Sequence, residues 1–167
     1  MQKILGNAIM LIASIVMVAS GLVKNKKKLL TAQTIQIIIA AIGNGVLGSY
    51  SGMTSNFLSG FRNVLEYNKK LTNFTKSLII VALIILTICF NDIGIIGWLP
   101  TISCVIFTIF VTIENIIVLK NIIIFCNILW TIHDFYIMAY TAMIFDILYI
   151  LANIISIIKI KKASTSK

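Results

Sequence analysis

The chain reads as an all-α integral membrane protein: seven transmembrane helices forming two parallel three-helix repeats joined by a linker helix, a 3+1+3 plan. Composition, the placement of the lysines and an internal similarity at an offset of 90 residues predict it. Of 167 residues, 59% are hydrophobic and only 11% charged, with a single proline and a mean hydropathy of +1.04, whereas a soluble domain carries roughly 25% charged residues. A hydrocarbon core of about 30 Å takes about 20 residues per helix. The length is therefore used up by seven or eight crossings, leaving no room for a soluble catalytic domain.

Apolar runs broken by charged or turn-forming residues define the spans. The first is Ile4 to Val23. Lys3 before it and the small triplet Val18, Ala19, Ser20 mimic a signal peptide, but the run has full spanning length and the basic stretch Lys24 to Lys28 behind it resists export, so a retained span is expected. The second runs Leu29 to Gly48. After a turn at Ser49 to Gly52, the third is Met53 to Tyr67, short and polar for a membrane helix. Asn68 to Lys76 is the longest connection. The fourth span runs Ser77 to Phe90, and the turn Asn91 to Ile96 leads to the fifth, Gly97 to Leu119, with Pro100 in its first turn, where proline costs no hydrogen bond, and Trp98 as an interfacial anchor. Asn121 to Met138 and Thr141 to Ile158 complete the seven, followed by a basic tail. In domain terms these are a first repeat over 1–67, a connector with the linker helix over 68–96, a second repeat over 97–158 and a cytoplasmic tail over 159–167.

Seven crossings put the termini on opposite sides. With the N-terminus outside, Lys24, Lys26, Lys27, Lys28, Lys69, Lys70, Lys76, Lys120, Lys159, Lys161, Lys162 and Lys167 all fall on the cytoplasmic side and only Lys3 faces out, a strong positive-inside bias. The net charge of +9 is thus an orientation signal, and nucleic acid is not expected as a partner.

Adding 90 to a residue number repeatedly meets the same or a similar residue: Asn25 and Asn115, Tyr50 and Tyr140, Met53 and Met143, Asn63 and Asn153, Lys69 and Lys159, with Asn44 meeting Asp134 and Asn56 meeting Asp146. The polar pairs and tyrosines are the informative ones. The offset lays spans one to three onto five to seven in the same orientation, with the fourth as connector. In such parallel repeats, substrate sites lie between the two copies near mid-membrane.

Ionisable groups inside a membrane are costly and face protein or water. Asp134, Asp146, Asn44 and Asn56 form, by the repeat, a polar ring in the outer part of the bundle, read as a solute or cation site or else as interfacial caps and helix bridges. Asn63 and Asn153 lie deeper, toward the cytoplasm, as a facing amide pair suited to a hydroxylated solute or as interhelical glue. His133, beside Asp134, is a candidate proton relay or a packed hydrogen-bonding group, and Trp130 could stack on a ring-shaped solute. Arg62 and Glu66, at i, i+4, are expected as an intrahelical ion pair with the arginine snorkelling to the inner interface, a gate or anion contact being the alternative for Arg62, and Glu114 as a structural group at the inner end of span five. Cys89, Cys104 and Cys126 are read as small core hydrophobes. Their spacing makes no metal site, and no nucleophile has a spaced base, so neither a metal, a cofactor nor an enzymatic activity is expected.

The stretches KNKKKLLTAQTIQIIIAAIGNGVLGSYSGMTSNFLSGFRNVLEY and LWTIHDFYIMAYTAMIFDILYILANIISIIKIKK resemble the YgjV family of small bacterial inner-membrane proteins, grouped with the SWEET and PQ-loop transporters. The likeness runs from about Gly21 to Lys162. It is sharpest at Arg62-Asn63 and at Trp130, the tyrosine after it and Asp146. The resemblance implies the 3+1+3 plan with the N-terminus outside, and makes Asn63 and Asn153 similar to the asparagines that hold the sugar in SWEET-type proteins. Two features depart from it: Pro100-Thr101 stands where a PQ dipeptide would be, and His133 answers no family requirement. Transfer of function from fold is analogy.

The expected function is a small transporter or facilitator of a small polar solute (sugar, nucleoside or vitamin-like) working by alternating access between the repeats. The alternative is a non-transporting scaffold or receptor-like subunit. Expected partners are the lipid bilayer and that solute, with a homo-oligomer left open.

Overall fold

The computed structural model describes residues 2–91 and 93–165, with side chains as far as Ala163. Seven α-helices form among these residues: α1 (Gln2–Gly21), α2 (Lys26–Leu47), α3 (Tyr50–Tyr67), α4 (Asn73–Phe90), α5 (Trp98–Phe110), α6 (Ile116–Tyr136) and α7 (Tyr140–Thr165), with a 3-10 turn, Gly94–Gly97, leading into α5. Many of these residues are isoleucines, which are mediocre helix formers in water. In lipid each backbone donor and acceptor must be satisfied within the chain, and a helix does that locally.

Burial is inverted relative to a soluble protein. Ile12, Ile15, Ile38, Phe57, Phe61 and Ile88 are exposed, while Ser14, Gln33, Asn44, Ser55, Asn127 and Asp134 are buried. Such a molecule presents its apolar side chains to lipid and packs its polar ones inward. Five helices, α1, α2, α4, α6 and α7, are long and apolar enough to cross a membrane, whereas the short α5 and the polar α3 fall below that mark.

Six of the helices close a ring. α1 packs on α2, α2 on α3, α3 on α5, α5 on α6, α6 on α7, and α7 back on α1, while α4 packs on α3 and α5. Small residues bring the first pair together: a Cβ on Gly43 would stand 2.6 Å from the Met10 sulfur, the close approach that membrane helices favour. Hydroxyls join α3, α5 and α4, with Ser55 bonded to Thr101 at 3.3 Å and Thr101 to Thr87.

The ends of the helices are written in their caps. Asn25 caps α2, accepting from the Lys28 amide, and Asn115 caps α6, accepting from the amides of Ile117 and Val118, so each satisfies donors that a helix start leaves open. α2 ends at Gly48, whose φ of 84° lies in the left-handed region, and α6 ends before Met138 at φ 62°. The backbone bonds there correspond, Ser49 N to Asn44 O at 2.9 Å and Ala139 N to Asp134 O at 2.8 Å.

Several sequence-based boundaries are corrected. The fifth span does not run to Leu119: α5 stops at Phe110, residues 111–115 are a loop, and α6, capped by Asn115, starts at Ile116, five residues before the expected Asn121. The apolar run Ile116 to Leu119 hid this break, because its hydropathy continues that of α5. Lys120 is accordingly no loop lysine; it lies in α6 and is fully buried. The expected tail after Ile158 is the continuation of α7 as far as Thr165; Lys167 lies outside the described residues.

Two ends of the ring differ in charge. At one, Lys26 meets Glu66 at 2.7 Å and Glu114 at 3.5 Å, joining the α1–α2, α3–α4 and α5–α6 connections, and Lys76 donates to Ile109 O and Thr112. At the other, Asn7 accepts from the Thr141 amide and Ser49 bonds to His133, joining the start of α1 to the α2–α3 and α6–α7 turns.

Candidate functional site

A cavity of about 100 Å³ lies inside the ring, lined by all the helices except α4. Its walls follow from the 3.6-residue period. On α3 the buried stripe Gly52, Ser55, Asn56, Ser59, Arg62 faces inward, and on α2 the same spacing aligns Gln33, Ala40 and Asn44. Bulky isoleucines hold much of the outer faces, and the interior mixes small and polar residues with Met10, Met17, Ile37, Phe107 and Ile123.

Asn44, Asn56, Asp134, Asp146 and Trp130 all line this one cavity. The site is polar and under-satisfied. Both amide atoms of Asn44, Oε1 of Gln33 and Oδ2 of Asp146 are buried without a hydrogen-bond partner among the described residues, and buried polar groups normally have one. A polar cavity with orphaned donors and acceptors fits waters or a small polar solute. Asp146 is held from behind, its backbone carbonyl accepting from the Asn127 amide at 3.0 Å. Gln33 donates to the Tyr149 hydroxyl at 3.1 Å, and Ser20 also bonds to it.

His133 does not line the cavity. It is fully buried behind it, one ring nitrogen 2.9 Å from Asp134 Oδ1 and the other 3.0 Å from the Ser49 hydroxyl, with its ring edge-on to Trp130 at 5.5 Å between centroids. If Ser49 donates to Nε2, then Nδ1 carries the proton toward Asp134, and one neutral tautomer satisfies all three groups. Although residues adjacent on a helix point apart, these two side chains meet in the last turn of α6.

Asn63 and Asn153 are not a facing pair on the cavity. Each carboxamide oxygen is taken by a buried cation: Asn63 Oδ1 accepts from Arg62 Nε at 3.1 Å and Nη2 at 2.9 Å, and Asn153 Oδ1 accepts from Lys120 Nζ at 3.1 Å. Lys120 also donates to Gly21 O at 2.7 Å, tying α6 to the end of α1. The expected Arg62–Glu66 pair is likewise absent. Glu66 pairs with Lys26, and Arg62 turns inward, where Nη1 donates to Cys104 O and Thr108 Oγ1 and the guanidinium lies 4.6 Å from the Phe107 ring centroid. Inward hydrogen bonds and a cation–π contact replace the snorkelled position, and they put Arg62 on the cavity wall.

Cys104 and Cys126 are buried and line the cavity, whereas Cys89 is exposed on α4, a correction to its reading as core. Among the described residues, no cluster of three or more His, Cys, Asp or Glu could hold a metal ion. Sequence reasoning missed Gln33, Ser59, Tyr149 and the inward Arg62. The signal available was the small-or-polar stripe at i, i+3, i+4 on α2, α3 and α7, which stands out against isoleucine.

The family model for Imp-YgjV, bacterial inner membrane protein, matches residues 4–164. The chain belongs to the Imp-YgjV family. It is therefore a multi-pass protein of the bacterial inner membrane. No curated protein and no solved structure matched. The matched segment takes in all of the cavity's walls, so the site lies within the Imp-YgjV part of the chain.

Proposed function

We propose that this Imp-YgjV protein is a small transporter or facilitator, not an enzyme, that passes a small polar solute through the cavity inside its helical ring. The observation that carries the reading is the orphaned polar lining: Asn44, Gln33 and Asp146 present buried, unpartnered atoms to one space reached by both halves of the chain. A scaffold has no need of such atoms, whose burial costs about 1–3 kcal/mol each without a partner. Asn44, Asn56, Asp134, Asp146 and Trp130 contact the solute, His133 serves behind Asp134 as a proton relay, and Asn63 and Asn153 act one layer behind through Arg62 and Lys120.

The 3+1+3 plan and its likeness to SWEET-type transporters belong to this proposal. It draws support from the offset of 90, at which cap meets cap (Asn25, Asn115), left-handed turn meets left-handed turn (Gly48, Met138) and cavity residue meets cavity residue (Asn56, Asp146). The ring order supports it too, since the α3–α5 and α7–α1 contacts are the two junctions that a twofold relation requires. All seven helices cross, the polar α3 and the short α5 among them. The lysine-rich end is cytoplasmic and the N-terminus outside, on the strength of the basic bias. Opening and closing then rock one half against the other, and Lys26–Glu114, the part of the cluster that joins the two halves, is the contact broken at the cytoplasmic end.

The test is uptake by proteoliposomes across a panel of sugars, nucleosides, vitamins and amino acids, with Asn44→Leu and Asp146→Asn compared to the parent. Flux of one solute class, reduced at least tenfold by either substitution, is expected. A folded protein that moves nothing, with cysteines placed at Asn44 and Asn56 closed to water-soluble reagents, would overturn the reading and leave a scaffold.

A further inference from the structure

The cavity has ionisable side chains toward each end. Asp134 and Asp146 stand on its wall near the α2–α3 and α6–α7 turns, and Arg62 stands on the same wall deeper in. None of the ion pairs among the described residues includes Arg62 or Asp146. Arg62 is held by neutral acceptors alone, namely Asn63, Cys104 O and Thr108, and Asp146 keeps Oδ2 unpartnered. Separated charges inside a membrane protein are costly, and a cavity open to a solute is where their missing partners can be supplied.

Resting on the transporter reading, we infer that the solute is a small zwitterion of the α-amino acid class, its ammonium bound by Asp146 and Asp134 and its carboxylate facing Arg62. Spacing supports this choice. The two turns are joined by the Ser49–His133 bond. Asp146 is six residues into α7 from Tyr140, while Arg62 is twelve into α3 from Tyr50. At about 1.5 Å per residue the Cα levels of the two residues lie roughly 9 Å apart along the bundle, which leaves room between their side chains for a solute whose two charged groups are close together. Size agrees as well: about 100 Å³ is below the roughly 300–1,000 Å³ of sites for drug-sized ligands, which favours a few heavy atoms over a nucleoside. A neutral sugar would leave both charges unanswered, a lone anion would meet two carboxylates, and a lone cation would meet the guanidinium.

The experiment uses the full chain in lipid nanodiscs, with thermal stability and equilibrium binding read for glycine, L-alanine and L-serine. Each is compared with its amide, which keeps only the ammonium, with its N-acetyl form, which keeps only the carboxylate, and with glucose. The expected result is binding of at least one free amino acid, at least tenfold weaker binding of both its blocked forms, and none of glucose. Asp146→Asn should abolish the preference for the free amino acid over its N-acetyl form; if that variant does not fold, the ligand series on the parent chain decides alone. Equal binding of a blocked form, or binding and flux of a neutral solute with no amino acid bound, overturns the zwitterion while leaving a transporter. Absence of binding and flux for every solute overturns both.

Discussion

Arg62 and Asn63 are neighbours in sequence and partners in space, and a double-mutant cycle isolates their bond. Arg62→Met removes two donors from Asn63 Oδ1, at 3.1 and 2.9 Å. Cys104 O and Thr108 keep each other, because Thr108 donates to Cys104 O at 2.6 Å. The loss therefore falls on Asn63, whose amide nitrogen is already without a partner. A typical hydrogen bond contributes a net of about 0.5–1.5 kcal/mol, so losing two should cost about 1–3 kcal/mol. Asn63→Leu removes the acceptor and leaves a buried guanidinium short of one, at similar cost. With both replaced, no polar group is stranded, and a matched apolar replacement is nearly neutral. The double variant is thus expected to be more stable than the sum of the singles by about 1–2 kcal/mol, measured by denaturant-dependent tryptophan fluorescence in mild detergent. Additivity within about 0.5 kcal/mol, the range for independent sites, would refute the assignment.

Three further outcomes are checked in the same unfolding assay. Asn115→Ala should lower stability by about 0.5–2 kcal/mol and Asn25→Ala by a similar amount, because each removes an N-cap; no effect at Asn115 would return the α6 start to the sequence-based position. Gly21→Ala sets a Cβ 2.8 Å from the Tyr149 ring and 3.0 Å from Ala152, an overpacking expected to cost about 1–3 kcal/mol. Glu66→Gln should weaken the bundle by about 1 kcal/mol and Glu114→Gln by less than about 0.5, since both reach Lys26 but their side chains are 10% and 84% exposed; equal effects would remove Glu66 from its special place.

The helices and the polar ring were legible because both depend on short-range pattern. Hydropathy marks a span, and Asn44, Asn56, Asp134 and Asp146 are polar residues whose exposure to lipid is too costly, so their meeting inside the ring follows from the helical period and the offset of 90. What failed depended on partners far along the chain. Lys120 resembles a loop lysine until Gly21 O and Asn153 are found beside it. Arg62 and Glu66 have the spacing of an ion pair, yet each finds a better partner on another helix, Asn63 excepted, which lies next door and pointed elsewhere by local rule. The α5–α6 break failed for a different reason: its only marks are Glu114 and Asn115, two polar residues between apolar runs.

The unequal helices give the molecule a rim of uneven height. At about 1.5 Å per residue, the 20, 22 and 21 residues of α1, α2 and α6 measure about 30–33 Å, against about 27 Å for the 18 of α3 and of α4 and about 20 Å for the 13 of α5. The four residues of the 3-10 turn before α5 rise about 2 Å each and restore some 8 Å of its deficit. The bilayer meeting α3, α4 and α5 is therefore asked to be thinner than the bilayer meeting α1, α2 and α6. Hydrophobic mismatch of this kind costs fractions of a kcal/mol per ångström, so lipid chain length becomes a handle on how the two sides of the ring tilt against each other.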